Sequence, residues 1–377
     1  MLIKNARIVN PWGESFGDVL VERGRIAEVG NPTGTDLGDV VNVDGDLLFP
    51  GFIDVHIQGA GGADVLDGGD AVSVISEFCA KQGVTGFLAT TVYKPGQENG
   101  HIEAALKCSS EGLPGAVLLG IHLEGPFISP DRKGMIQSSS ICKPSRRVLS
   151  EIMDKCGGQL RMMTLAPELD GVRDIIRSLL ERDVVVSFGH SSASYEQTLQ
   201  AIGMGVKHVT HVFNAMPPIH HRAPGPLLAI FESADVSAQL ISDGVHIHPS
   251  MVRFVSRVLG EDRIVLITDG VRSTGLPDGN YIYDGLEFLS VDGTARYVDG
   301  TLIGTSAGMN ELAKRFLKFT GLSTSSVAKA ASYNPAKLLG LADSKGSIEV
   351  GKDADLVVVE EDFKVRMTFV EGKLVQA

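Results

Sequence analysis

Residues 184–190 are Val-Val-Val-Ser-Phe-Gly-His, a short apolar run that ends in a glycine and a histidine. A near-continuous aliphatic run is typical of a strand buried on both faces of a parallel sheet. Comparable runs, separated by lengths that suit a helix and a turn, occur at 52–55, 85–92, 116–123, 162–166, 209–210, 236–241 and 264–268. Together these strands predict an α/β fold, a closed (β/α)₈ TIM-type barrel, in which chemistry gathers at the carboxyl ends of the strands.

Five of the runs are followed at once by a side chain that can bind a metal or move a proton. These residues are His56, Glu124, His190, His211 and Asp269. Two histidines on adjacent strands, together with a carboxylate, would hold one divalent cation and leave a position open for water. Asp269 ends the last strand, across the barrel mouth, where it could take a proton from that water.

The first strand places His56 and Gln58 on one face, because side chains alternate along a strand. An amide oxygen is a poor ligand for a zinc-like ion, so we predict one metal per subunit and treat His56 as a doubtful ligand of a second. Zinc suits the ligand set, although iron, manganese or cobalt can use the same residues. His122 alternates with Glu124 and either shares the mouth or packs as a hydrogen-bonded core residue.

The chain has 377 residues, and a barrel of about 250 leaves roughly a hundred over. At both ends of the chain, apolar and polar residues alternate over short stretches, a pattern typical of antiparallel strands. We therefore predict a small discontinuous β-sandwich domain from residues 1–50 and 340–377. The barrel would occupy 51–339, with a β-hairpin insertion near 280–300 and an amphipathic helix at 308–319.

Composition and charge exclude several classes of function. The net charge of −12 argues against nucleic acid as a partner. The chain has no apolar run of about 18 residues, which argues against membrane insertion. Its four cysteines show no metal-type spacing and predict free thiols in a reducing cytoplasm. A small phosphorylated ligand remains compatible, because local basic residues can override the overall field.

Basic and glycine-rich loops follow the later strands. The segment 220–225 holds His220, His221 and Arg222, His246 follows the seventh strand, and 300–306 offers flexible backbone N–H groups ahead of a helix. Such groups can hold a phosphate or another anion. A turn with surface charge explains each loop equally well when it is taken alone.

Several motifs in combination carry a resemblance to a known family. They are residues 49–56, 122–127, 164–168, 189–191, 210–216, 268–270 and 345–356. In these motifs the chain resembles the N-acetylglucosamine-6-phosphate deacetylase family of the amidohydrolase superfamily, nearly end to end. The resemblance implies a metal-dependent enzyme of amino-sugar catabolism that hydrolyses the linear N-acetyl amide to glucosamine-6-phosphate and acetate.

The resemblance also implies roles for individual residues. The metal would be held by Glu124, His190 and His211, with Asp269 as the acid/base. Phosphate and sugar contacts would come from Asn214, Ala215, Arg222, His246 and the Leu302 to Gly304 loop. In the family's dimer a basic phosphate contact comes from the neighbouring subunit, so we expect Arg222 or His246 to reach across an interface in a homodimer or higher homo-oligomer. Ala166-Pro167-Glu168 disfavours a lysine-bridged metal pair.

Departures from the family pattern keep alternatives open. Members commonly carry Lys-Gly-x-His after the glutamate motif, whereas this chain has Lys133-Gly134-Met135-Ile136, followed by Gln137. In the family, this histidine contacts the substrate near its N-acetyl group. Here either Gln137, together with Met135, makes that contact, or the substrate is N-acetylgalactosamine-6-phosphate or another N-acyl amino-sugar phosphate. An alanine also follows Arg222 where an acid is usual. More distant alternatives are a non-catalytic amidohydrolase-like protein and a sugar-phosphate binding protein.

Overall fold

The computed structural model of the chain describes residues 1–33 and 38–377; residues 34–37, inside the predicted 1–50 segment, lie outside the described residues. The strands are β1 (Leu2–Asn10), β2 (Gly13–Glu22), β3 (Arg25–Gly30), β4 (Val40–Asn42), β5 (Leu47–Pro50), β6 (Phe52–Ile57), β7 (Gly59–Ala60), β8 (Ala63–Asp64), β9 (Val84–Thr91), β10 (Val117–Glu124), β11 (Leu160–Leu165), β12 (Val185–Phe188), β13 (His208–Val209), β14 (Ser237–Leu240), β15 (Ile264–Leu266), β16 (Gly279–Tyr283), β17 (Leu286–Val291), β18 (Thr294–Arg296), β19 (Leu302–Thr305), β20 (Leu356–Val359), β21 (Val365–Val370) and β22 (Lys373–Gln376).

The α-helices are α1 (Ala71–Lys81), α2 (Gly100–Glu111), α3 (Arg146–Cys156), α4 (Val172–Leu180), α5 (Tyr195–Gly203), α6 (Gly225–Glu232), α7 (Pro249–Leu259), α8 (Met309–Thr320), α9 (Thr324–Ala328) and α10 (Asn334–Leu338). Short 3₁₀ turns lie at Val65–Asp67, Pro130–Arg132, Ser138–Ser140 and Glu261–Arg263, and a π-helical turn lies at Lys329–Tyr333. No helix of the described residues is long and apolar enough to cross a bilayer.

The predicted barrel is confirmed. Strands β6 and β9 to β15 form one parallel sheet in the order β6-β9-β10-β11-β12-β13-β14-β15. A parallel bridge between Ile57 and Gly270 joins its two edges, and the Gln58 N–H donates to the Gly270 carbonyl at 2.8 Å. Strand β9 is buried along its whole length, as expected where helices cover one face and barrel side chains fill the other.

The helices around the barrel form for local reasons that the sequence carries. In α4, the buried residues Val172, Ile175, Ile176 and Leu179 recur at the spacing of one helical face. At the start of α5, the Ser194 hydroxyl accepts from the Gln197 N–H while the Gln197 side chain accepts from the Ser194 N–H. This reciprocal capping satisfies donors that the first turn leaves unpaired.

Strands from both ends of the chain join one eight-stranded sheet. Its order is β22-β21-β20-β5-β1-β2-β3, and β4 pairs with the first half of β1. The strands from the two ends of the chain meet where β5 pairs with β20 in antiparallel orientation. A separate apolar core lies against this sheet and includes Ile3, Ile8, Val19, Leu356 and Phe369. The termini therefore combine as the sequence indicates, while the exact domain limits stay a prediction.

The insertion after β15 is larger than the predicted hairpin. Strands β16 to β19 form a four-stranded antiparallel sheet that extends to Thr305. We expected a flexible backbone at 300–306, but Leu302–Thr305 pairs with β18, where Ala295 opposes Gly304. The backbone N–H groups of this strand are partly committed to the sheet. The helix predicted at 308–319 is present as α8.

Candidate metal centre and active site

Glu124, His190 and His211 meet at the carboxyl end of the barrel. Glu124 is the last residue of β10, and the histidines lie two residues beyond β12 and β13. Glu124 Oε1 is 3.0 Å from Nε2 of each histidine, and the two Nε2 atoms are 3.2 Å apart. Among residues 1–33 and 38–377, this is the only group of three His, Cys, Asp or Glu side chains arranged to share a metal ion.

The backbone around both histidines is constrained. A Cβ at Gly189 would lie 2.6 Å from Thr164 Cγ2 and 2.9 Å from Thr210 Cβ, so only glycine fits between the neighbouring strands. His190 and His211 adopt φ values of 49° and 25°, in the left-handed region that side-chain-bearing residues rarely enter. Strain of this kind clusters at functional sites, where the surrounding structure enforces it.

The donor set fits a divalent cation. His190 Nδ1 lies 2.7 Å from the Arg132 carbonyl oxygen, so Nδ1 carries the proton and Nε2 presents a lone pair to Glu124 and His211. The Gln58 amide donates to Glu124 Oε2 at 3.2 Å, which orients the carboxylate. Two lone-pair nitrogens and a carboxylate oxygen this close repel one another unless a cation or proton lies among them. Two histidines and a glutamate form the ligand set of hydrolytic zinc sites, and backbone carbonyls commonly orient such histidines.

The charge states of the site also suit a metal. Burial opposes the charge of Glu124, but the neighbouring imidazoles of His56, His190 and His211 outweigh it and hold the pKa of Glu124 well below its usual value. Burial lowers the pKa of His211 despite the nearby Glu124. An ionised carboxylate and a neutral imidazole are the forms that bind metal ions.

Asp269 lies across the mouth, three residues beyond β15. Its side chain faces the cavity at the metal cluster, and its Oδ1 is 3.2 Å from His56 Nε2. The Asp269 N–H donates to the His56 carbonyl at 2.9 Å, and the Asp269 carbonyl accepts from the Thr305 N–H at 3.0 Å. A Cβ at Gly304 would lie 2.4 Å from the Asp269 carbonyl oxygen. Gly304, which we predicted as a substrate contact, permits β19 to pack against the Asp269 backbone.

His56 is fully buried among the side chains of the barrel mouth. Its Nδ1 lies 2.9 Å from Gln239 Oε1, and its Nε2 is 3.7 Å from Glu124 Oε1 in addition to the contact with Asp269. Burial lowers the pKa of His56, but Asp269 and Glu124 outweigh it and raise the value to about 9. The structure thus shows His56 as a neighbour of both carboxylates, and its role at a second metal stays a prediction.

His122 is a packed core residue, the second of the two readings that its sequence position allowed. It is fully buried, with Nε2 2.8 Å from Thr164 Oγ1 and Nδ1 3.1 Å from the Val55 carbonyl oxygen. Burial lowers its pKa well below the usual value. Both ring nitrogens have partners, so His122 has no free position for a ligand.

A cavity of about 290 Å³ opens at the metal cluster; we call it the metal-site cavity. Its lining comprises Gln58, Glu124, Asp131, Arg132, Gly134, Met135, His190, His211, Asn214, Ala215, His246, Asp269, Thr301, Leu302 and Ile303. Of the predicted substrate contacts, it includes Met135, Asn214, Ala215, His246, Leu302 and Ile303. The predicted metal ligands Glu124, His190 and His211 and the predicted acid/base Asp269 share this cavity.

The other predicted contacts lie elsewhere. The Gln137 amide donates to the Asp284 carbonyl at 2.5 Å, away from the cavity. Arg222 is exposed, with Nη1 2.8 Å from His221 Nε2, and does not line the cavity of its own chain. Together with Gly304, these are the three predicted contacts that the metal-site cavity does not include.

Sequence reasoning assigned no role to three lining residues: Asp131, Arg132 and Gly134. A Cβ at Gly134, where φ is 54°, would lie 3.2 Å from His190 Cε1, so the 130–137 loop packs over this ring. The charged pair Asp131-Arg132, directly before Lys133, is the sequence feature that could have pointed to this loop.

His246 is held in place by Asp243. The carboxylate Oδ2 lies 2.6 Å from His246 Nδ1, and Oδ1 accepts from the N–H groups of Val245 and His246 at 2.9 Å each. Burial opposes ionisation of Asp243, but these hydrogen bonds and the nearby imidazole keep its pKa below the usual value. Because Nδ1 contacts Asp243, Nε2 is the ring nitrogen of His246 that is left for a ligand in the cavity.

Similarity to known proteins agrees with this geometry. The model of the amidohydrolase family matches residues 47–375. The N-acetylglucosamine-6-phosphate deacetylase of Bacillus subtilis (strain 168) is 39% identical over 336 residues, which cover 87% of this chain and 84% of the relative. The N-acetylgalactosamine-6-phosphate deacetylase of Escherichia coli O157:H7 is 34% identical over 342 residues and 89% of each chain.

A solved structure extends the similarity to the whole fold. It is an N-acetyl-D-glucosamine-6-phosphate deacetylase mutant from Mycobacterium smegmatis in complex with N-acetyl-D-glucosamine-6-phosphate. Its TM-score is 0.93 at 32% identity, with 100% of this chain and 99% of that chain covered. This chain belongs to the amidohydrolase family, in the group that the N-acetylglucosamine-6-phosphate deacetylases represent.

Proposed function

We propose that this chain hydrolyses the N-acetyl amide of N-acetylglucosamine-6-phosphate to glucosamine-6-phosphate and acetate, a step of amino-sugar catabolism. The observation that carries the proposal is the placement of Asp269 in the same small cavity as the Glu124, His190 and His211 cluster. Relatives with this activity match most of the chain, and a related enzyme with the same fold binds this substrate.

Glu124, His190 and His211 would hold one divalent cation per subunit, and zinc is our first choice. Iron, manganese and cobalt can use the same three donors. When bound, such a cation supplies Lewis acidity that polarises an acetyl carbonyl and makes water easier to deprotonate. His56 Nε2 lies 3.7 Å from Glu124 Oε1 and 3.2 Å from Asp269 Oδ1, and we do not include a second metal in the proposal.

Asp269 is the proposed acid/base. The carboxylate would take a proton from the attacking water as the carbon–oxygen bond forms and would then give that proton to the departing amine nitrogen. The leaving group requires this proton, because an amine departs poorly as an anion. His56 Nε2, at 3.2 Å from Asp269 Oδ1, would orient the carboxylate toward the cavity.

The sugar phosphate would lie against Asn214, Ala215, His246 and Leu302, which line the cavity. We propose that Arg222 completes the phosphate site of a neighbouring subunit. Its exposure and its position outside its own cavity support this role, and the protein would then act as a homodimer or a higher homo-oligomer.

We further propose that residues 1–50 and 340–377 form the small β domain and that 51–339 form the catalytic barrel. The four cysteines are free, which suits the reducing cytoplasm that we propose as the compartment. The chemistry itself depends on neither assignment.

The galactosamine epimer is the second candidate substrate. The Escherichia coli relative is named for N-acetylgalactosamine-6-phosphate. Ile136 departs from the family pattern, but its burial in an apolar cluster outside the cavity gives that departure little weight. An acetate-release assay on both epimers, with metal analysis of the same sample, tests the proposal. Release from the glucosamine compound supports it, whereas release from the galactosamine compound alone moves the assignment to the other epimer. A metal-loaded protein without release from either compound would act on another N-acyl amino-sugar phosphate or be non-catalytic, and both outcomes overturn the proposal.

A further inference from the structure

A second cavity, of about 500 Å³, lies at the opposite end of the barrel. Its wall includes Arg161 near the start of β11, Val184–Val186 around the start of β12, and Lys207 and His208 at the start of β13. The end of α10 closes one side with Lys337. We call it the amino-terminal cavity, because parallel strands begin there and end at the metal cluster.

Positive charge dominates the lining. The cavity has three cationic side chains, Arg161, Lys207 and Lys337, against one acid, Asp183. This concentration runs against the net charge of −12 of the whole chain. An anion of matching size would gain charge-assisted hydrogen bonds from several directions, which are stronger than neutral ones.

The cations keep hydrogen-bonding capacity for a ligand. Within the described part of the chain, the Lys337 ammonium has no hydrogen-bond or ion-pair partner. Arg161 uses one Nη2 contact, 3.0 Å from the Leu339 carbonyl oxygen, and retains its other donors. Lys207 pairs with exposed Asp235 at 3.2 Å, a solvent-screened contact that contributes little.

The inner wall carries a histidine with an unused nitrogen. His208 is fully buried, and its Nδ1 lies 2.8 Å from Ser237 Oγ. Its Nε2 has no hydrogen-bond partner among the described residues, which is uncommon for a buried polar atom. Burial lowers the pKa of His208 to about 3, so the ring is neutral and adds no charge to the cavity.

We propose that the amino-terminal cavity is a binding site for a small phosphate-bearing anion, distinct from the metal-site cavity. Arg161, Lys207 and Lys337 would contact the phosphate, since arginine and lysine side chains are the usual phosphate donors of proteins. The volume suits a molecule between inorganic phosphate and a hexose phosphate in size. The site is independent of the metal cluster, because it uses none of the metal-site residues.

Titration calorimetry of the metal-loaded full chain tests the site, with inorganic phosphate, glucose 6-phosphate and neutral glucose as probes at constant ionic strength. Lys337→Ala and Lys207→Ala should each weaken a phosphate-binding component about tenfold, the effect of losing one charge-assisted hydrogen bond. Lys318→Ala, an exposed lysine on α8, is the matched control and should bind as the unmodified protein does.

The two phosphate probes identify the source of the anion. If inorganic phosphate and glucose 6-phosphate both lose affinity in the variants, the site takes free phosphate and its esters. If only glucose 6-phosphate does, the site is specific for esters. The proposal is overturned if Lys337→Ala and Lys207→Ala both leave every titration unchanged, or if neutral glucose binds as tightly as glucose 6-phosphate.

Discussion

The Nε2 atoms of His190 and His211 lie 3.2 Å apart, although the two residues follow different strands and are separated by 21 positions in the chain. Adjacent parallel strands β12 and β13 bring them together, and Glu124 adds an oxygen 3.0 Å from each nitrogen. Two imidazole nitrogens and a carboxylate oxygen at these distances form a possible metal ligand set, and a shared cation explains the arrangement.

Chelation of the metal should abolish acetate release, and a divalent cation should restore it. Glu124→Gln should lower the bound metal, because a neutral amide replaces the ionised ligand. Elemental analysis alongside the acetate assay checks both effects. Glu181→Gln, at the exposed end of α4, is the matched control and should keep the metal of the unmodified protein; full metal content in Glu124→Gln would remove Glu124 from the ligand set.

Asp269→Asn should reduce kcat by about 10²–10⁴-fold, the usual contribution of a general acid/base. The amide keeps the size of the carboxylate but cannot accept the proton. Initial rates of acetate release, together with metal analysis, give the result. Near-normal turnover in a metal-loaded Asp269→Asn protein would mean that another group moves the proton.

Arg222→Ala should raise KM for the phosphorylated substrate more than it lowers kcat. If Arg222 serves a neighbouring subunit, mixing Arg222→Ala with Asp269→Asn protein and allowing subunits to exchange should restore about a quarter of the unmodified activity. Random pairing makes half of the dimers mixed, and each mixed dimer has one complete site. Activity no higher than the sum of the separate variants, once exchange is verified, would place Arg222 outside a shared site.

Ile136→His should destabilise the fold without creating a substrate contact. Ile136 is fully buried in an apolar cluster with Ile128, Tyr283 and Phe288, where an imidazole would lack partners and would cost about 2–4 kcal/mol. Ile136→Val, which should cost about 1 kcal/mol, is the control. Urea unfolding measures both, and a stable Ile136→His protein with a lower KM would show that the position reaches the sugar.

Asp64 should make stability depend on pH. Burial raises its pKa to about 7, against about 3.9 in an unfolded chain. The folded state therefore binds the proton more tightly, so this contribution to stability is complete below about pH 4 and is lost as pH rises to 7. Between pH 5 and pH 8, the free energy of unfolding should fall by about 2–3 kcal/mol more in the unmodified protein than in Asp64→Asn.

Urea unfolding at the two pH values measures this difference. Asparagine keeps the acceptor that caps the Leu66 N–H, so the helical turn after Asp64 should survive the change. Asp343→Asn, on an exposed turn, should follow the unmodified protein. Equal pH dependence in Asp64→Asn and the unmodified protein would mean that Asp64 is ionised in the folded state throughout this range.

The sequence by itself determined the barrel and its most important side chains. Apolar runs such as 184–188 predict the buried strands, and Gly189 allows the neighbouring strands to approach closely. The polar residues that follow five of the runs then lie at the same end of the barrel. Residues such as Glu124, His190 and Asp269 could be predicted for this reason, since strand ends converge in any parallel barrel.

Tertiary structure decided which side chains reach the same space. The 130–137 loop folds over His190 and brings Arg132 to the cavity while it turns Gln137 toward Asp284. The path of a loop depends on packing against distant strands such as the β16–β19 insertion. Local sequence does not specify that packing.

The amino-terminal cavity shows the same division most clearly. Arg161, Lys207 and Lys337 lie far apart in the chain, and no motif connects them. They share one cavity because strand register aligns the starts of β11 and β13 and because α10 packs beneath the barrel. The sequence determines that these three side chains are positively charged, but only the folded barrel brings them to the same cavity.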